Sequence, residues 1–361
     1  YYVRVITTVH DGDQSMPLFY DNSSAIYSEA TANVADLQAG QDWTKHGIKA
    51  LTLRFFGDPN NSVADQMYVK LNGSTVTYDG DPENVARIGW QMWYIDLALF
   101  DTNLSNVTDL AIGFERVGAV GGQGVVLFDG IRLCSYDRQL ITPAEPGTAG
   151  LQAHYEFEGT TNDSSGNARH GTAMGNPVFE PGKIGQAISF DGLSDYINID
   201  GYKGVVGDGN DTPPWTVAAW VRTSDNGEVV GWGSATDAGN RMEFRINAGR
   251  TRAEGGGGAT QGDTSMNDGQ WHHIAVTVQP NSVYSTGIDL WLDGQLDTRS
   301  NNDPDPWHPT ADFDVKIGIR YNESGREFTG SIDDVRIYDR VLTAEEVAWL
   351  AGRNQPFDKP F

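Results

Sequence analysis

Along most of this chain apolar and polar residues alternate over short runs, and clusters of Gly, Asn, Asp and Ser separate one run from the next. Alternation with period two puts every second side chain on one face of an extended backbone, the mark of a half-buried β-strand. Before residue 139 the runs "YVRVITT", "IKALTLRFF", "QMYVKLN", "QMWYIDLALF", "LAIGFERV" and "VVLFDGIRL" read as strands. After residue 150 come "AHYEFEG", "QAISFDG", "DYINID", "WTVAAWVRT", "RMEFRIN", "HHIAVTV", "DLWLDGQ", "DVKIGIR" and "DDVRIYD". Within "WLDGQ", Asp293-Gly294 suits the positive φ angles of a type I′ hairpin turn. The one predicted helix is "TAEEVAWLAG", with Thr343 as N-cap, Glu346 completing a capping box and Gly352 closing the end.

The pattern predicts an all-β protein of two consecutive antiparallel β-sandwiches with one short helix near the C-terminus. The stretch "QLITPAEPGTAG", residues 139–150, carries two prolines and two glycines and reads as a linker. It divides a first sandwich, 1–138, from a second, 151–352. The tail 353–361 has Pro356 and Pro360 interleaved with Phe357 and Phe361, so it is expected to be extended.

Two strands break the alternation in the same way. In "SIDDVRIYDR", residues 331–340, strict alternation turns Val335, Ile337 and also Asp333 inward, with Asp334 on the other side. A lone carboxylate facing a core costs roughly several kcal/mol unless it is paired or bound to a metal. The run "FDGIRLCSYDR", residues 128–138, repeats the motif with Asp129 in the corresponding place. Something must hold each of these charges.

At 361 residues the chain exceeds what one core usually holds, which agrees with two domains. It carries 25 Lys plus Arg against 49 Asp plus Glu, a formal charge of −24. That balance excludes a phosphate backbone as partner, because such binding needs a basic face. It fits a solvated extracellular surface or a chain that binds cations. The single cysteine, Cys134, rules out an intrachain disulfide and reads as a packing residue. No apolar run approaches the ~18 residues of a membrane-spanning segment. The chain opens at Tyr1, inside a strand-like run, which suggests a mature or trimmed product with sequence missing upstream.

From Leu151 to about Gly352 the chain resembles a laminin-G-like (concanavalin A-like) jelly roll of secreted bacterial proteins. The resemblance rests on "HYEFEGTTNDSSGNARHGT", "GQAISFDGLSDYINI", "WTVAAWVRT", "GQWHHIAVTV", "LWLDGQ" and "GSIDDVRIYDRVLTAEEV". It implies two facing sheets and a structural calcium ion where the N-terminal loop meets the last strand. The donors would be Glu158, Asp163 and Asn167 with Asp333 and Asp334, since calcium takes six to eight oxygen ligands. The alternative for Asp333 is bonds from backbone amides, or a pair with Arg169 or a neighbouring Arg. The neighbours His272 and His273 lie on opposite strand faces, so they cannot chelate one ion and are expected to pack.

Residues 1–138 resemble a carbohydrate-binding-module-type (galactose-binding-like) sandwich through "HDGDQSMPLFYDNSSAIYSEA", "DWTKHGIKALTLRFFGDPNN", "WQMWYIDLALF" and "VVLFDGIRL". That resemblance implies a second structural calcium between Glu29 and Asp129, helped by Asp21. Sugar binding needs aromatic faces flanked by polar groups. Trp232 and Trp307, in Gly- and Pro-rich loops, are the expected platforms, whereas Trp93 and Trp220 are expected in the core.

No catalytic motif appears. Glycosidases on the jelly roll carry an E-x-D-x-x-E run, and this chain has none; "RMEFRIN" holds a single acid. "AEGGGGATQGD" has four glycines but neither a following Lys nor a helix start. The expected function is therefore non-catalytic: a secreted or cell-surface module that binds a polysaccharide or glycoprotein, with glycoside hydrolysis as a minor alternative. The other reading is a structural subunit that assembles with copies of itself. There Tyr1, Tyr2 and Val3 would supply an unpaired strand edge, and Phe357 and Phe361 would enter a neighbour's groove.

Overall fold

The alternating runs pair into antiparallel sheets throughout a computed structural model, which describes residues 8–207, 211–234, 239–283, 286–298, 307–323 and 325–359. The chain separates into two compact units, Tyr1–Thr142 with Gln355–Phe361, and Pro143–Asn354. In the first unit the strands are β1 (Met16–Asp21), β2 (Tyr27–Asn33), β3 (Ala50–Phe56), β4 (Asp65–Leu71), β5 (Ser74–Thr77), β6 (Trp90–Asp96), β7 (Asp109–Arg116), β8 (Gln123–Cys134) and β9 (Leu140–Ile141). They form two four-stranded sheets, β1-β8-β3-β6 and β2-β7-β4-β5. One apolar core joins the two: Leu53, Trp93 and Phe128 from the first sheet meet Val69, Ile112 and Phe114 from the second.

The second unit comprises β10 (Leu151–Tyr155), β11 (Thr172–Met174), β12 (Val178–Pro181), β13 (Gln186–Asp191), β14 (Tyr196–Ile199), β15 (Trp215–Arg222), β16 (Gly227–Gly233), β17 (Arg241–Asn247), β18 (Arg250–Glu254), β19 (Ala259–Gln261), β20 (Trp271–Val283), β21 (Thr286–Leu292), β22 (Gln295–Leu296), β23 (Phe313–Ile317), β24 (Thr329–Tyr338) and helix α1 (Ala344–Leu350). Among the described residues one sheet runs β12-β13-β24-β15-β20-β21-β22, with β10 also on β24; the other runs β11-β14-β23-β16-β17-β18-β19. Trp215 on the first sheet packs edge to face on Trp232 of the second, with centroids 5.3 Å apart. The turn between β21 and β22 has Asp293 at φ 49° and Gly294 at φ 79°, as a type I′ hairpin requires. Thr343 and Glu346 form the reciprocal capping box at the start of α1.

The faces of the two acidic strands differ from strict alternation. Between Ala218↔Arg336 and Trp220↔Asp333 the register of β15 with β24 slips by one residue, and Asp334 takes φ 47°. The same slip occurs between Thr52↔Arg132 and Arg54↔Asp129 in β3 and β8, where Gly130 takes φ 54°. Both are β-bulges with the extra residue in the left-handed region, which Gly and Asp tolerate best. A bulge shifts the phase of everything before it. Asp333 therefore shares a face with Trp220 and Arg336, away from Val335 and Ile337, and strict alternation misplaces it.

The chain ends also differ from expectation. Leu140–Ile141 lies inside the expected linker but is a strand, and Ala149 and Pro146 accept bonds from Arg340. Residues 355–359 do not hang free. Strand β25 (Phe357–Asp358) pairs with β9, Phe357 is buried, and the Asp358 carboxylate accepts from the Tyr94 amide and Arg138. Phe357 thus packs on the first unit and is not offered to a neighbour; Tyr1, Tyr2, Val3 and Phe361 lie outside the described residues. Phe357→Ala should lower the stability of the first unit by about 3 kcal/mol. Calorimetry of the variant should show one of two transitions displaced downward and the other unmoved.

Candidate functional site

Where the expected metal ligands lie decides whether they can share an ion. Asp163 is consumed by its own loop: its carboxylate accepts from the amides of His154, Ser165 and Arg169. Burial opposes its charge, but those amides hold it below the usual carboxylate range. Asn167 donates to the carbonyls of Leu151 and Gln152. Asp334 meets the His154 imidazole, Nε2 at 2.5 Å, and the Arg336 guanidinium at 3.1 Å. Glu158 accepts from the Gln186 amide, and Asp333 accepts from the Ile184 amide at 2.9 Å. These last two carboxylates thus grip opposite ends of one turn, "PGKIGQ". A Cβ on Gly182 would come within 2.6 Å of Asp333, and one on Gly185 within 1.8 Å of Glu158, so the turn needs glycine at both places. Arg169 is elsewhere, bonded to Gln152 and set over the Tyr202 ring.

In the first unit Glu29 is held by Lys70 and Tyr68 on one sheet. Asp129, on the other sheet, accepts from the amides of His10, Asp11 and Gly130. Asp21 caps Ser23 at the surface. Among the described residues no three His, Cys, Asp or Glu side chains converge as metal ligands. Most of the expected donor oxygens are engaged by the chain's own amides and cations, and one oxygen of Asp333 is buried without a hydrogen-bond partner.

Trp232 and Trp307, the expected sugar platforms, are fully buried against Trp215, and their indole N–H groups donate to the carbonyls of Val205 and Arg241. Both rings lie inside the sandwich and present no face to a sugar, Trp232 from strand β16. His272 sits between Asp293 and Asp268; burial pulls its pKa down, but the two carboxylates hold it up at about 9. His273 packs on Trp220, and burial pushes it down to about 4.

The unexpected feature is a charged face on the seven-stranded sheet. Along β17 the residues Arg241, Glu243 and Arg245 alternate with core residues Met242, Phe244 and Ile246, and β18 adds Arg252 and Glu254. Glu228 on β16 joins them, as do Arg320 and Arg326 from the segment before β24. Glu243 is fully buried and receives Arg320 on one oxygen and Arg326 on the other. Glu254 binds Arg245 at 2.7 Å and Arg252 at 2.9 Å; burial opposes its charge, yet these arginines bring its pKa down to about 2.

The register pairs like with like: Glu243 stands opposite Glu254, and Arg245 opposite Arg252. Like charges directly across a sheet are destabilising, so stability alone would not select this order. It leaves five arginines facing three glutamates on one patch of a strongly acidic chain. The period-two order R-x-E-x-R over 241–245 and R-x-R-x-E over 250–254 carried this signal in the sequence. A search for several acids within one strand passes over acids that meet across strands.

Glu228 is fully buried, and neither of its oxygens has a hydrogen-bond partner; Arg326 comes no nearer than 3.9 Å. Burial first, then the adjacent Glu243 charge, push its pKa well above the ordinary value. A raised carboxyl pKa favours the folded state fully below the unfolded pKa of roughly 4.3, and that contribution is lost as pH rises through the folded pKa. Glu228→Gln, a neutral isostere, should therefore match the parent in Tm at pH 4 and exceed it by a few degrees at pH 8. Thermal melts across that range check the sign.

Comparison with known proteins agrees with the second unit's architecture. Residues 191–348 match the sequence model of the concanavalin A-like lectin/glucanases superfamily. Human neuronal pentraxin-2 is 33% identical over 99 residues, 24% of this chain and 21% of that protein, so the match spans about a fifth of the relative's length. Domain 4 of AbnA, a GH43 extracellular arabinanase from Geobacillus stearothermophilus solved with arabinotriose, is 25% identical, covering 56% of this chain and 98% of the domain at a TM-score of 0.46. The binding domain of Paraclostridial Mosquitocidal Protein 1 is 16% identical, covering 56% of this chain and 52% of its own at a TM-score of 0.42. The fold and the family match together make the second unit a laminin-G-like domain of the concanavalin A-like type.

Proposed function

We propose that the protein is a non-catalytic, extracellular glycan-binding module whose second unit holds sugar on the arginine–glutamate face of its seven-stranded sheet. The observation that carries this reading is the like-with-like charged register of β17 and β18, set in a lectin-type sandwich. Guanidinium and carboxylate groups each present two polar atoms in a plane, a spacing that suits neighbouring sugar hydroxyls. The side chains of Arg252, Arg320 and Arg326 are 21–27% exposed, so their outer nitrogens reach solvent while their inner ones are braced by Glu243 and Glu254. Bracing of this kind fixes the donors before a ligand arrives, which lowers the entropy lost on binding.

A glycosidase needs two carboxylates that reach the substrate, one neutral and one ionised. Glu228 has a raised pKa, but it and Glu243 are both fully buried, and Glu243 spends both oxygens on arginine. That favours holding over hydrolysis. Among the described residues no helix is long and apolar enough to cross a membrane. The laminin-G-like fold and the acidic surface support an extracellular setting.

Retention on immobilised polysaccharides tests the reading. The parent chain should be retarded by at least one soluble glycan. Arg252→Ala should weaken that retention about tenfold, the worth of one charge-assisted hydrogen bond, with a modest fall in Tm because Glu254 keeps Arg245. Equal retention of parent and variant on every glycan that binds would remove this face as the site.

A further inference from the structure

Strand β1 turns Leu18 and Tyr20 into the core of the first unit, where Tyr20 stacks on Phe114 with centroids 4.2 Å apart. The same alternation sends Phe19 and Asp21 to the solvent side. Phe19 is 64% exposed, more than any other phenylalanine, tyrosine or tryptophan among the described residues. One exposed apolar side chain is ordinary on a protein surface. What sets this ring apart is what surrounds it.

Phe19 lines a hollow of about 410 Å3 together with Asp21, Asp58, Asn60 and Gln123. Val125 of β8, directly across from Phe19, and the adjacent Gly124 also line it. A Cβ on Gly124 would come within 2.2 Å of Asn61 Oδ1, so the strand needs glycine there for the 58–61 turn to close on it. Asn61 fixes that turn: its Nδ2 donates to the carbonyls of Val85 and Val125, and its Oδ1 accepts from the Val125 amide. Both carboxylates are held the same way. Oδ1 of Asp58 accepts from the Asn60 amide at 2.8 Å, and Oδ1 of Asp21 from the Ser23 amide at 3.0 Å. Oδ2 of each takes no part in these turns and can accept from a ligand. Among the described residues no Lys, Arg or His lines the hollow.

We propose that this hollow is a sugar site of the first unit, which takes a neutral hexopyranose ring against Phe19. The choice of a sugar rests on the glycan-binding reading above; the place does not. A pyranose offers an apolar C–H face and a rim of hydroxyls. The phenyl ring suits the first. The carboxylates accept from hydroxyls, and the amides of Asn60 and Gln123 both donate and accept, so the rim can be met without a cation. Two carboxylates with no cation beside them repel a uronate or a sulfate, which makes the preferred ligand uncharged. The volume lies within the roughly 300–1,000 Å3 usual for small-molecule pockets, and the pinned turns fix the polar groups before a ligand arrives.

Isothermal titration of the full chain with glucose, galactose, mannose, galacturonate and choline tests this. At least one of the three hexoses should bind, and galacturonate and choline at least about tenfold more weakly than it. Phe19→Ala should weaken that hexose about tenfold with Tm unchanged, because the ring is exposed, while Phe19→Tyr should bind like the parent. Arg252→Ala, in the other unit, should leave the affinity unchanged. No heat with any hexose, galacturonate or choline binding as tightly as the best hexose, or a Phe19→Ala variant that binds like the parent would each overturn the proposal. Binding lost in Arg252→Ala but kept in Phe19→Ala would overturn it too, and would place the sugar on the charged face. Failure here leaves retention on polysaccharide through that face untouched, so the two readings fail separately.

Discussion

In each unit a carboxylate one residue before a β-bulge accepts hydrogen bonds from the backbone of a distant turn. Asp129 holds the turn at His10 and Asp11; Asp333 holds the turn at Ile184. Hydrogen bonds to a charged acceptor are worth roughly 1.5–3 kcal/mol each, and losing the acceptor would also leave the part-buried amides of Asp11 and Ile184 unpaired. The bulge is what makes this geometry available, because it turns the aspartate off the core side of the sandwich and toward the covering turn. Asp333 bears the larger cost. One of its oxygens is buried without a partner, and burial raises its pKa to about 6, whereas three amides meet Asp129.

The same economy of fixed dipoles and ions shapes the charged face of the seven-stranded sheet. There the arginines are braced by glutamates that are themselves removed from water, so the ends that meet solvent are held still by the ends that do not. Such networks are strong when fully satisfied and costly where one member is left out. Glu228 is that member, and burial with the adjacent Glu243 charge raises its pKa well above the ordinary value. The patch is polar and locally rich in arginine on a strongly acidic chain.

Much of the fold was legible because alternation is a local property. The strands, the Asp293-Gly294 hairpin and the capped helix at Thr343 all follow from neighbours in sequence. The side of the sheet that Asp333 faces was not legible by strict alternation, because a bulge changes phase without changing composition. The paired appearance of "DDVRI" and "DGIRL" did mark both places, and Gly130 was the visible cue to a left-handed residue. Trp232 and Trp307 misled because Gly- and Pro-rich surroundings in sequence do not decide which rings are buried. Phe357 misled because a two-residue strand paired with Leu140–Ile141 leaves no periodicity to read. The arginine–glutamate face was written in period two along β17 and β18, but its meaning depends on which strands are neighbours.

Amide hydrogen exchange in the presence of EDTA tests most directly whether these carboxylates hold backbone and not metal. The amides of Asp11 and Ile184 should be strongly protected in the parent chain; Asp129→Ala should release the first alone and Asp333→Ala the second alone. Protection that survives both substitutions, or that appears only when calcium is added back, would contradict the account.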